Sequence, residues 1–328
     1  MESLQKHSEK EKTTVKVSIG IPVYRVESYI ERCARSLFEQ TMQEGIEFIF
    51  VNDCTPDRSI EILKQVLEEY PHRKPWVKII DHPKNCGVGK ARRTAVENAS
   101  GAYIIHCDPD DWVELDMYET MYNEAVKNDA DMVYCGAQRH YDDRIIPIPA
   151  GTGETPTQHL EEIFRGCFPS LCNHLYRQEI AHSDYSEEVP DHIHYAEDLL
   201  RNTAMMLRCR RIACIKESFY HYRYNPVSLS SAMSIPQRHL AFESQLCLDK
   251  IVGDRFAEAL ASRRRWALYL AITCPIISAR EWHSLWKDAK RGIWRDTRYN
   301  FFRKLIFCAA CLNFTVTSFL FRKLKRIQ

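Results

Sequence analysis

The chain has 328 residues, 45% of them apolar and 27% charged, with a formal net charge of +1. That composition excludes a disordered or disulfide-stapled chain and is long enough for one large domain or two modest ones. The charge is unevenly spread: residues 291–328 hold nine Lys or Arg and one acid, Asp296, so a +8 tail follows a −7 body. A basic tail on an acidic body points to an anionic surface as partner, and no nucleic-acid partner is expected. Thirteen scattered cysteines, with one CxxC (Cys308 to Cys311) and no second pair, read as free thiols of a reducing cytoplasm. Residues 1–14 are polar and charged, without the apolar centre of a signal peptide, and read as a disordered tail.

Val15 to Val23 is a continuous β-rich run that reads as a buried strand. Ser28 to Glu31 has the pattern of a capping box, and Ile30, Cys33, Ala34, Leu37 and Phe38 follow at helical spacing. Ile46 to Val51 is a second strand, which runs into the polar turn Asn52 to Asp57. A helix from about Ser59, a strand at Trp76 to Ile80, a loop at Pro83 to Gly89 and a helix from Ala91 to Ala99 come next. Ser100-Gly101 ends that helix. Ala102 to Cys107 is a fourth strand, Leu115 to Asn128 a helix, and Asp131 to Cys135 a fifth strand. Strands alternating with helices predict an α/β fold with a mostly parallel sheet, and ligands then bind beyond the carboxyl ends of the strands. Three polar clusters fall at such ends: Tyr24 to Glu27, Asn52 to Asp57, and Asp108 to Asp111. Gly87-Val88-Gly89-Lys90 hints at a phosphate-binding P-loop, but Lys84 stands at the earlier glycine and no Ser or Thr follows the lysine.

Asp108-Pro109-Asp110-Asp111-Trp112 is the densest of the three. Carboxylates crowded at the end of a buried strand repel each other, and a cation would relieve them. Residues two apart on an extended chain face one side, so Asp108 and Asp110 can share an ion while Asp111 points away. By itself the stretch could equally be an acidic turn capping the next helix. Residues 140–186 are less periodic. Tyr195-Ala196-Glu197-Asp198 then opens an apolar helix through Leu207, where the acids either complement the helix dipole or hold a general base. A strand-like stretch, Arg211 to Ile215, precedes the alternating aromatic and basic residues Phe219 to Tyr224. His192, His194 and His221 lack metal-site spacing, and hydrogen-bonding or acceptor-contact roles are expected of them.

From Pro236 to about Ile293 the pattern is helical. Leu305 to Phe321 is a 17-residue apolar segment with Arg303-Lys304 before it and Arg322, Lys323, Lys325 and Arg326 after it. A helix of that length spans about 25 Å, short of a bilayer core, and basic clusters at both ends disfavour crossing. The expectation is a helix lying on an anionic inner leaflet; a hairpin buried against the body is the alternative. The domain layout expected is a tail at 1–14, a main domain at 15–235 and a helical extension at 236–328.

Five short motifs in order resemble family 2 glycosyltransferases of the GT-A fold. Ile21-Pro22-Val23-Tyr24 with Glu27 is similar to an opening PVYN motif, with Arg25 in place of Asn. Phe50 to Ser59 resembles a V(N/D)DGSxDxS turn, with Cys54 for Gly, and Asn85 to Arg92 resembles NxGxxxAR. Asp108 to Trp112 resembles a DxDD motif and Glu197-Asp198 an ED motif. The resemblance implies a Rossmann-like sheet with flanking helices and an inverting, hexosyltransferase-type transfer from a nucleotide-sugar, usually a UDP-sugar. A saccharide or lipid-linked saccharide acceptor in cell-surface polysaccharide synthesis is implied, with Mn²⁺ or Mg²⁺ as cofactor and the cytoplasmic face of the membrane as location. It also implies residue roles. Pro22, Tyr24, Glu27, Asp53, Asn85, Gly87, Arg92 and Asp108 would frame the donor. Asp110, with Asp108, would bind metal, Asp198 would be the base with Glu197 the lesser candidate, and Trp112 would wall the acceptor side. The competing expectation is a non-catalytic nucleotide-sugar or saccharide-binding module on the same fold.

Overall fold

A computed structural model of the chain describes residues 14–184, 189, 190, 192–224, 234–274 and 276–325. All but the last residue of the expected N-terminal tail lies outside them. In chain order the strands are β1 (Val17–Val23), β2 (Ile46–Asn52), β3 (Val77–Asp81), β4 (Tyr103–His106), β5 (Trp112–Val113), β6 (Met132–His140), β7 (Ile145–Ile148), β8 (His174–Arg177) and β9 (Ile212–Arg223). Around them run α1 (Ile30–Phe38), α2 (Ser59–Glu68), α3 (Val88–Glu97), α4 (Met117–Lys127), α5 (Pro156–Arg165), α6 (Gln178–Asp184) and α7 (Glu197–Met206).

The strands form one mixed sheet in the order β3-β2-β1-β4-β8-β6-β9-β5, with β7 paired to β6. The first four are parallel, as alternation of strand and helix predicts. Beyond β4 the sheet turns mixed, because the short strand β8 inserts antiparallel to both β4 and β6. The parallel register pairs Val23 with Asn52 and Gly20 with His106, so the chain leaves β1, β2 and β4 on one edge.

Alternation within β2 divides the core. Phe48 and Phe50 face α1, where Phe38 meets Phe48 edge-on at 5.5 Å, whereas Ile49 and Val51 face Ala91 and Ala95 of α3. Each such phenylalanine contributes about 2–3 kcal/mol by burial. α3 sits close on β1 because Gly20 has no side chain: a Cβ there would come to 2.8 Å from the Ala95 Cβ. The capping box expected at Ser28 does not form. Tyr29 takes the N-cap position of α1 without a side-chain bond, and Val26 O accepts from both the Tyr29 and Ile30 N–H groups. Arg73 is fully buried and donates to the carbonyls of Phe38, Gln40, Met42 and Gln43, which places its charge at the C-terminal end of α1.

After the sheet come α8 (Ile235–Val252), α9 (Ala257–Thr273), α10 (Ala279–Ser284), α11 (Lys287–Arg291), α12 (Phe301–Leu312) and α13 (Phe314–Lys325). Leu248 and Leu260 join the core that covers β6 and α7, while Trp282, Phe307 and Phe314 centre a core of their own. The apolar segment Leu305 to Phe321 is two helices rather than one. Asn313 leaves the helical region at φ −150°, and its side chain accepts from the Val316 N–H at the start of α13. Phe307, Ala310 and Ser318 are buried against the body, but Phe302 and Leu312 remain 73% and 89% exposed. No helix among the described residues is long and apolar enough to cross a membrane. All thirteen cysteines are free.

Candidate active site

The loops after β1 and β2 are bound to each other. Arg25 N–H donates to Thr55 Oγ1 (2.8 Å), Val26 N–H to Ser59 Oγ (3.0 Å) and Glu27 N–H to Asp57 Oδ2 (3.1 Å). The Glu27 carboxylate accepts in return from the Arg58 N–H, so Glu27 braces the two loops and does not line the cavity beside them. Arg25 and Cys54 adopt left-handed backbone, with φ of 55° and 56°. These are the two positions where the chain departs from Asn and Gly, the residues that tolerate such φ best.

Asp53, at the end of β2, is buried and gathers the next loop. Its carboxylate accepts from the Cys86 and Gly87 N–H groups, each at 2.8 Å, and lies 2.8 Å from His82 Nδ1. Asn85 Nδ2 donates to the Asp53 carbonyl. Gly87, at φ +88°, is pressed under the His194 ring, where a Cβ would approach to 2.6 Å. Asp53, His82 and Cys86 offer atoms within 4.8 Å of one another, but the donor set here is spent on the loop.

Arg92 projects from α3 and joins the two acidic motifs. It donates to Asp108 Oδ1 at 2.7 Å and to the Glu197 carboxylate at 2.5 Å. Glu197 is 3% exposed and also accepts from Arg201 one turn on. Burial opposes its charge, yet Arg92 and Arg201 outweigh that and hold its carboxyl below the ordinary range. Asp198, its neighbour, faces the opposite balance. Burial pushes its carboxyl up to about 6 against the pull of Arg92, and its own Oδ1 accepts the Leu199 N–H. A carboxyl titrating there can exchange a proton near neutral pH.

In the acidic turn, Asp111 points inward as the two-residue alternation implies. It accepts from the Tyr220 hydroxyl (2.5 Å) and the Arg223 N–H (2.7 Å). The Tyr220 oxygen also accepts the Asp108 N–H, so β9 fixes the turn from behind. Asp110 stands at the cavity, raised to about 6 by burial and by the charge of Asp108. Two carboxylates so opposed suit a hard divalent cation, which prefers oxygen ligands.

These parts surround one cavity of about 530 Å³. Pro22, Tyr24, Asp53, Asn85, Gly87, Arg92, Asp108 and Asp110 line it, as do His194, for which a contact role was expected, and three residues that sequence reasoning did not assign: Tyr195, Gln237 and Leu240. The last two come from α8, where no motif marks them. Glu197, bonded to Arg92, and its neighbour Asp198 are not part of this lining. Trp112 is elsewhere, at the sheet edge, with the Arg32 guanidinium 3.1 Å over its ring and His221 stacked at 5.1 Å. The three histidines do not meet: His192 pairs with Glu243, His221 with Glu114, and only His194 reaches the cavity.

The sequence profile of glycosyl transferase family 2 matches residues 18–183. The chain is 36% identical over 225 residues to the uncharacterized glycosyltransferase EpsJ of Bacillus subtilis, which covers 65% of this chain and 62% of that one. It is 32% identical over 242 residues to the putative glycosyltransferase EpsH of the same organism, covering 72% and 67%. Residues 1–349 of S. aureus TarS in complex with UDP superpose with a TM-score of 0.62 over 90% of this chain and 91% of that one, at 16% identity, which speaks for the fold. The motif-bearing cavity, the GT-A architecture and these relatives agree: the chain belongs to glycosyl transferase family 2.

Proposed function

We propose that the chain is an inverting transferase that moves a sugar from a UDP-sugar to a hydroxyl of a saccharide or lipid-linked saccharide during synthesis of a cell-surface polymer. The observation that carries this is the one cavity in which the loops after β1, β2 and β3 meet the acidic turn after β4, with Arg92 linking it to the helix start that bears Asp198. The likeness to a UDP-bound TarS fold supports the choice of donor. Asp53 and Asn85 hold the nucleotide side, and Asp108 and Asp110 would hold Mn²⁺ or Mg²⁺. Such a cation, when bound, would offset the charge gathering on the departing diphosphate.

Asp198 accepts the proton of the acceptor hydroxyl. As the acceptor oxygen bonds to the anomeric carbon, the bond from that carbon to the diphosphate breaks, and one displacement inverts the configuration. Glu197 is the weaker base, because Arg92 and Arg201 occupy both its carboxylate oxygens and lower its affinity for a proton; it positions Arg92 instead. The test is a thermal-shift panel of UDP-, GDP- and dTDP-sugars with Mn²⁺, followed by assay of donor cleavage. Stabilisation by a UDP-sugar with turnover is expected. Binding without any turnover would establish a binding module instead, and failure of every donor would reject the reading.

The location is proposed as peripheral on the inner face of the membrane. Phe301, Phe302, Leu312 and Phe319 are exposed on α12 and α13 beside Lys304, Arg322 and Lys323, a composition suited to an anionic leaflet. Sedimentation with phosphatidylglycerol vesicles should be lost in a Phe302→Asp, Phe319→Asp double variant, and unchanged sedimentation would reject the location.

A further inference from the structure

A second cavity, of about 430 Å³, opens among the C-terminal helices, and Tyr195 lines both it and the donor cavity. Its walls are basic and aromatic. α9 supplies Arg263, Trp266 and Tyr269, α8 supplies Arg238, and Arg298 from the segment before α12 and Arg303 from the first turn of α12 close it. No Asp or Glu lines it. Arg298 lies 3.5 Å from the Asp296 carboxylate outside the cavity, and Arg303 sits 5.9 Å over the Tyr269 ring. Arg263 makes no hydrogen bond or ion pair among the described residues, and its Nε is a buried donor without an acceptor. Burial disfavours its charge, and Tyr195, which shares the cavity wall with it, and Asp198 are the groups whose charges favour it. A desolvated, unpaired guanidinium among other arginines calls for an oxyanion, and Arg presents the planar fork that phosphate and carboxylate both fit. Trp266 and Tyr195, stacked with ring centroids 6.0 Å apart, add a flat face of the kind on which sugar rings lie.

We propose that this cavity is the acceptor subsite and that the acceptor carries an oxyanion, a phosphodiester or a uronate carboxylate, next to the hydroxyl that is glycosylated. The assignment rests on the transferase reading, because it uses Asp198 to orient the acceptor.

The test is titration calorimetry of the full chain with a glycerol-phosphate dimer, a glucuronate disaccharide, cellobiose and inorganic phosphate, with UDP and Mn²⁺ titrated separately. At least one anionic probe should bind tenfold or more tightly than cellobiose, and raised salt should weaken it. Which anionic probe wins identifies phosphate or carboxylate as the natural group. Arg263→Gln should weaken that probe about tenfold or more while UDP titrates as in the parent. Arg303→Gln, at an exposed position, should weaken it in the same direction without risk to the fold. Cellobiose binding as tightly as the charged probes, inorganic phosphate matching the phosphodiester, or an Arg263→Gln variant with unchanged affinity would each overturn the proposal. Failure of UDP to bind would sink the transferase reading, and the probe titrations would still decide whether the cavity takes an oxyanion.

Discussion

Replacing Asp198 by Asn should abolish transfer and at the same time stabilise the protein. Asp198 is raised from 3.8 to about 6 in the folded chain, chiefly because burial disfavours its charge. A shift of about two pKa units corresponds to about 3 kcal/mol of stability forgone when the group is ionised. The sign follows from the direction: a carboxyl whose folded pKa is raised contributes its full stability below the unfolded pKa and loses it as pH rises through the folded value. The loss therefore develops between about pH 4 and pH 6. Asn has nearly the same shape, carries no charge, and its amide oxygen can still accept the Leu199 N–H. Urea melts at pH 8 should show the variant more stable by up to about 3 kcal/mol, with the gap closing towards pH 4. Transfer measured on the same preparation should fall by three orders of magnitude or more, while UDP–Mn²⁺ binding stays near that of the parent. A variant less stable than the parent at pH 8 would refute the burial argument, and one with parental turnover would refute the assignment of the base.

Asp110→Asn should lose cation-dependent donor binding, and in the parent that binding should weaken as pH falls through about 6, where Asp110 takes up a proton; calorimetry with Mn²⁺ at pH 5 and 7.5 tests both, and a flat pH profile would reject Asp110 as a ligand. Tyr220→Phe removes the hydroxyl shared by Asp111 and Asp108, and should cost about 1–3 kcal/mol in urea melts and loosen donor binding. Cys54→Gly relieves a left-handed residue at φ 56° and should raise stability by about 1 kcal/mol; destabilisation would show that the Cys54 side chain contributes there.

Much of the donor cavity could be read from the sequence because it is built from loops that follow buried strands. A run such as Ile46 to Val51 announces its own strand, and the polar residues after it fall at a predictable edge. The insertion of β8 could not be read, since four residues, His174–Arg177, carry too little periodicity to reveal their partners. The second cavity was illegible for a different reason. α9 buries residues on more than one face, Leu260, Arg265, Ala267, Leu268 and Ala271 among them, so no apolar stripe separates a core side from a cavity side. Arg263 then looks like any surface arginine until the helices around it are assembled. The left-handed turns at Arg25 and Cys54 left a trace in the sequence, but as departures from a family pattern, and only the backbone shows what those departures cost.

Tyr195 stands as a party wall between the two cavities. A ring that borders two chambers cannot swing in one without reshaping the other. If the two proposed subsites fill as assigned, occupancy of one would reach the other through that one side chain.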